Sequence, residues 1–114
     1  MKMENLDRLI KEFGEVCEAW DGEITTSLGK RYCLIPRKEF NPILLALDTT
    51  SPSVSVSTGM SHVDLFSIKN IERNKHSFML ISKNGDIINL RPDTGVITFN
   101  GDVKGSIWSC KIER

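Results

Sequence analysis

Phe78-Met79-Leu80-Ile81-Ser82-Lys83-Asn84-Gly85-Asp86-Ile87-Ile88-Asn89-Leu90 is the stretch whose reading decides the fold. Two apolar runs flank Asn84-Gly85. That dipeptide tolerates positive φ at both central positions of a type I′ turn, the turn whose twist matches a hairpin. A two-residue loop there sets Lys83 opposite Asp86, Ile81 opposite Ile88 and Met79 opposite Leu90. The three pairs share one face, oppositely charged at the tip and apolar below it, as cross-strand pairing favours.

Further strands follow on both sides. Downstream, Arg91-Pro92-Asp93-Thr94-Gly95 is a second turn, with Pro92 presetting φ and Gly95 free to take positive φ. Val96 to Phe99 returns, Asn100-Gly101 makes a third tight turn, and Ser106 to Ile112 is a last strand with Trp108, Cys110 and Ile112 on one face. Gly105 marks a bulge or bend. Upstream, Lys69 to Lys75 reads as a polar connection. Val63, Leu65 and Ile68 alternate, and so does Ser53 to Ser57, with Val54 and Val56 inward. Asp48 to Pro52 is a loop by composition. Glu23 to Ile35 is a hairpin about Gly29-Lys30. Ile43 to Leu47 fits a short buried helix begun by Asn41-Pro42 or a buried strand. Periodicity does not separate the two in so short a run.

Asn5 to Trp20 is the one strong helix. Leu6, Leu9, Ile10, Phe13, Val16, Cys17 and Trp20 recur at steps of three and four and form one apolar face. Asn5 serves as cap. Gly14 marks close packing or a break, and Asp21-Gly22 stops the helix. The expected fold is α+β: an N-terminal amphipathic helix packed on a curved antiparallel sheet of six to eight strands, a meander or half-barrel. Residues 1–114 form a single domain.

Lys plus Arg is 15 and Asp plus Glu is 15, a balance that argues against a protein built mainly to grip phosphates. A nucleic-acid reading needs Lys69, Arg73, Lys75 and Lys104 on one face. No segment approaches the roughly 18–20 apolar residues of a membrane helix. Acidic residues near the N-terminus, where a secretory signal carries basic ones, point to the cytoplasm. Cys17, Cys33 and Cys110 are odd in number with no close pair, which predicts buried thiols and neither a disulfide nor a Cys-based zinc site.

Chemistry is thinly marked. His62 and Asp64 sit two apart, on the same side of a strand, as a ligand-binding pair or a base with its orienter. His76 falls at a loop boundary. The serines lie outside any nucleophile-elbow pattern. Asp48, Asp64, Asp86, Asp93 and Asp102 fall at turns or strand ends. Gly85, Gly95 and Gly101 are turn glycines, without the strand-to-helix context of a dinucleotide fingerprint. No catalytic residue, metal site or cofactor is indicated.

Three segments carry a family resemblance. Val63-Asp64-Leu65-Phe66-Ser67-Ile68-Lys69-Asn70-Ile71, then Phe78 to Asp86, then Asn89-Leu90-Arg91-Pro92-Asp93-Thr94-Gly95-Val96 resemble the second half of the SUKH superfamily, and Ile35-Pro36 with Phe40 resembles an earlier segment of it. The match covers about a third of the chain. The family's Gly-Gly element and closing helix have no counterpart here. The resemblance implies an α+β fold and a bacterial immunity-type protein that binds a protein partner. The expected function is a non-enzymatic accessory protein acting through a protein partner or a second copy of itself. The alternative is a small-molecule site in a pocket of the curved sheet, with His62 and Asp64 in it.

Overall fold

A computed structural model describes residues 3–39, 41–101 and 107–112, the side chains at 3–5 and 107 excepted. Helix α1 (Met3–Ala19) is followed by β1 (Glu23–Ser27), β2 (Lys30–Ile35), β3 (Ile43–Asp48), β4 (Ser53–Ser57), β5 (His62–Leu65), β6 (Ile68–Arg73), β7 (Phe78–Ser82), β8 (Ile87–Arg91), β9 (Val96–Asn100) and β10 (Ile107–Lys111). The strands form two five-stranded antiparallel meanders, ordered β1-β2-β3-β4-β5 and β10-β9-β8-β7-β6. The fold is α+β, as expected, with ten strands in two sheets in place of six to eight in one. Part of the excess is β6, which was read as a polar connection. Only Ile68 and Ile71 of that strand point inward, three residues apart, because a bulge between Ile68 and Asn70 interrupts the alternation.

The inward faces of both sheets and one face of α1 share a single apolar core. Leu9, Phe13, Val16 and Cys17 of the helix, with Trp20 just past its end, are buried in it, as their spacing predicts. The helix contacts β1 and β2 in the first sheet and β6 in the second. Arg8 Nη1 donates to the Ile71 carbonyl at 3.4 Å, and Arg73 pairs with Glu12 at 2.8 Å. The helix begins at Met3, so Asn5 lies within its first turn and does not precede it as a cap. It runs unbroken through Gly14. It ends where Asp21 takes φ 55° and Gly22 N–H donates to the Cys17 carbonyl at 2.8 Å.

Cys17 and Cys33 are joined by a disulfide, Cα–Cα 6.0 Å, which overturns the expectation of three free thiols. They lie 16 positions apart in sequence, but the stop at Asp21 and the return along β1 and β2 bring Cys33 back under the last helical turn. Cys110 remains a free thiol.

Ile43 to Leu47 is strand. Ile43, Leu45 and Leu47 face the core while Leu44 and Ala46 face outward, held by β2 on one side and β4 on the other. The first hairpin closes one residue earlier than expected, at Leu28-Gly29, with φ of 48° and 79° and Ser27 opposite Lys30. This is the two-residue, doubly positive turn expected at Asn84-Gly85.

The Asn84-Gly85 hairpin itself has a different register. Ile81 pairs with Ile87, Leu80 with Ile88, Met79 with Asn89 and Phe78 with Leu90. The loop is Lys83-Asn84-Gly85, and only Gly85 takes positive φ, at 90°. The cause is Ser82. Its buried Oγ accepts the Asn84 and Asp86 N–H groups at 3.2 and 3.0 Å, and its own N–H donates to the Asp86 carbonyl at 2.9 Å. Shifting the pairing by one residue exchanges the faces. Phe78, Leu80, Ile88 and Leu90 are therefore buried, while Met79 and Ile81 are half-buried on the outer side.

The second turn is as expected, with Gly95 at φ 75° and its N–H donating to the Arg91 carbonyl at 2.8 Å. The third is not tight. Asn100 pairs with Ile107, so the connection spans residues 101–106, of which 102–106, with Gly105 and Ser106, lie outside the described residues. The chain crosses between sheets at Phe66-Ser67. There Ser67 takes φ 53°, its carbonyl accepts Lys83 N–H at 2.9 Å, and Ile68 N–H donates to the Pro52 carbonyl at 3.1 Å.

Candidate functional site

The outer face of the first sheet carries the residues singled out for function. Side chains alternate along each strand, so those opposite one another across the ladder share a face. Tyr32, Ala46, Ser55 and Asp64 form one row across β2 to β5, and Leu34, Leu44, Ser57 and His62 form the next. Lys30, Asp48 and Ser53 form a third beside them. Small side chains floor the middle of β3 and β4, leaving an open depression of about 440 Å³ lined in part by Tyr32, Leu44, Ser55, His62, Asp64 and Phe66.

His62 and Asp64 meet as their spacing predicts. His62 Nε2 lies 2.8 Å from Asp64 Oδ2, with side chains 53% and 36% exposed. The pair belongs to the outer face, and the inward face of this sheet is filled by core side chains. No hydrogen bond joins His62 to the facing Ser57 among the described residues, and no third His, Cys, Asp or Glu gathers there for a metal. The pair can orient an imidazole toward solvent or toward a bound surface.

Two carboxylates are held below their ordinary range by local turns. Asp48 accepts Thr50 Oγ1–H at 2.7 Å, Thr50 N–H at 2.9 Å and Ser51 N–H at 3.3 Å, with Lys30 nearby. Asp93 accepts two bonds from the Arg91 guanidinium, at 2.9 and 3.3 Å. His76 Nδ1 lies 4.0 Å from Asp93 Oδ2. These acids cap turns. Burial pushes the Cys110 thiol up to about 11, against the opposing field of Arg37.

Of the cations the nucleic-acid reading needs, Lys69 and Arg73 lie on β6 and Lys75 just after it. Arg73 is engaged by Glu12, and Lys104 lies outside the described residues.

The features missed at the sequence level are the exposed apolar side chains. Ile24, Leu28, Leu34, Met60 and Phe66 are the large hydrophobic residues exposed among the described ones, and all five belong to the first sheet, its turns or the residue just after it. The signal was present in Tyr32 to Ile35 and Ile43 to Leu47. An unbroken apolar run on a strand is apolar on both faces. No protein-family model, characterised protein or solved structure matches the chain.

Proposed function

We propose that this protein is a binding module that engages a protein partner through the outer face of its first sheet. The observation that carries this is the exposure of Leu34 and Phe66 among the outer-face residues, 47% and 65% respectively. Leu34, Leu44 and Tyr32 form an apolar centre, and Lys30, Asp48, His62 and Asp64 supply a polar rim, which is the anatomy of a protein–protein interface. The resemblance to the immunity-type SUKH superfamily is in line with a protein partner, and an accessory role of that type follows from this reading. The test is capture from the source organism's lysate with tagged wild type and with L34E/L44E. A stoichiometric protein held by wild type and lost by the variant supports the reading. Equal capture by both overturns it.

A second reading rests on the depression beside His62 and Asp64, which is of a size to take a small polar ligand. A ligand screen by thermal shift, repeated on H62A, tests it. A stabilising compound whose effect disappears in H62A would favour this reading over the first.

A further inference from the structure

Among the described residues, the first sheet ends on β5, which has β4 on one side and no strand on the other. The direction of its backbone groups follows from the β4–β5 turn. Thr58 N–H donates to the Ser61 carbonyl at 2.9 Å, so this pair, and in alternation Val56 with Val63, is hydrogen-bonded across the ladder. His62 and Asp64 therefore turn their N–H and C=O groups outward, and no described residue bonds them. Such an edge is a template for another strand.

The sequence of the edge is complementary to itself. In an antiparallel pairing of two copies centred on Val63, His62 of one faces Asp64 of the other, and the reverse. These are also the two residues whose backbone groups point outward, so hydrogen bonding and charge pairing select the same register. That register sends Met60, 94% exposed at the tip of the β4–β5 turn, toward Phe66 of the second copy, 65% exposed just past β5. The β1 and β6 edges lack this match. On β1, pairing about Thr25 sets Glu23 opposite Ser27. On β6, the bulge, Lys69 and Arg73 blunt the edge, and Arg8 already occupies the Ile71 carbonyl.

We propose that the protein forms a two-fold dimer by antiparallel pairing of β5 with β5 of a second copy, joining the two first sheets into one continuous sheet. This goes beyond the partner-binding reading and does not rest on it. Dimerisation is read from mass, partner capture from the Leu34 and Leu44 variants.

The test is sedimentation equilibrium from micromolar to hundreds of micromolar protein, on wild type and two double variants whose folding is checked by circular dichroism. H62K/D64K sets like charges opposite each other in this register and is expected to weaken the dimer by about tenfold or more. H62D/D64K keeps opposite charges facing and is expected to dimerise within about threefold of wild type. As a readout independent of charge, V63C in a C110S background is expected to form an interchain disulfide on oxidation. Its two-fold position is a close, non-hydrogen-bonded pair. A monomeric wild type, equal dimerisation by H62K/D64K, or no cross-link through V63C would each overturn the proposal.

Discussion

Cys17 on α1 is bonded to Cys33 on β2, and the backbone of Gly22 lies directly against the bond. A Cβ on Gly22 would come within 2.6 Å of Cys17 Sγ and closer still to Cys33 Sγ. Helix, stop and first hairpin are thus one covalent unit. Thiol titration of the protein unfolded without reductant is expected to find one reactive group per chain, Cys110, and three after reduction. Removing the bond with C17A/C33A is expected to lower stability by about 3 kcal/mol, the value for a loop of this length, measured by denaturant unfolding.

The pairing bears on location. An odd count without a close pair pointed to a reducing compartment, and that support falls away once two of the three cysteines are bonded. Trapping thiols with an alkylating reagent during cell lysis, then counting labels by mass, would report the state of the pair where the protein resides.

Cys110 is expected to label slowly in the native protein near neutral pH. Burial holds its thiol at about 11, so the reactive thiolate is scarce there and its fraction rises as pH climbs toward that value. Labelling rate against pH in native buffer checks this.

Three glycines separate by environment. G14A is expected to raise stability by about 0.5–1 kcal/mol, since an added Cβ meets only Ile24 Cδ1 at 4.0 Å and helix propensity improves. G95A is expected to cost about 2–3 kcal/mol, because φ is 75° and the new Cβ would press on the Ile112 carbonyl at 2.6 Å. G22A is expected to cost about 1–3 kcal/mol through displacement of the disulfide. Chemical denaturation of the three variants gives the order.

Ser82 sets the central hairpin. S82A leaves the Asn84 and Asp86 N–H groups without their shared acceptor and is expected to cost about 1–2 kcal/mol. K83A, at the exposed loop, is expected to be neutral within about 0.5 kcal/mol.

Asp48 and Asp93 have folded pKa values below their ordinary value of 3.8. Their stabilisation is present above that value and is lost as pH falls through the folded pKa, because the unfolded chain takes up the protons first. Thermal melts from pH 6 downward are expected to show a fall beginning near about pH 4. D48N is expected to flatten it, keeping the turn's acceptor but not its titration.

The helix was legible because seven apolar residues repeat along one face with charges elsewhere. Val54, Val56, Gly95 and the alternation of Trp108 and Ile112 were legible for comparable local reasons. The register at Asn84-Gly85 was not. Its dipeptide names a two-residue turn, and a buried serine hydroxyl two residues upstream selects a three-residue one. The disulfide was hidden because its partners lie sixteen residues apart and meet only after the hairpin folds back. Of the candidate site, His62 and Asp64 were read directly from period two. The apolar centre at Tyr32, Leu34 and Leu44 was overlooked because apolar strands are read as core by default.

The most direct test of the partner-binding face is photo-cross-linking in the source lysate, with benzoylphenylalanine replacing Tyr32 in one sample and Thr98, on the outer face of the second sheet, in another. The predicted result is a single covalent adduct of defined mass from position 32 and none from position 98. Adducts from position 98 alone, or equally from both, would contradict the assignment of the partner to the first sheet.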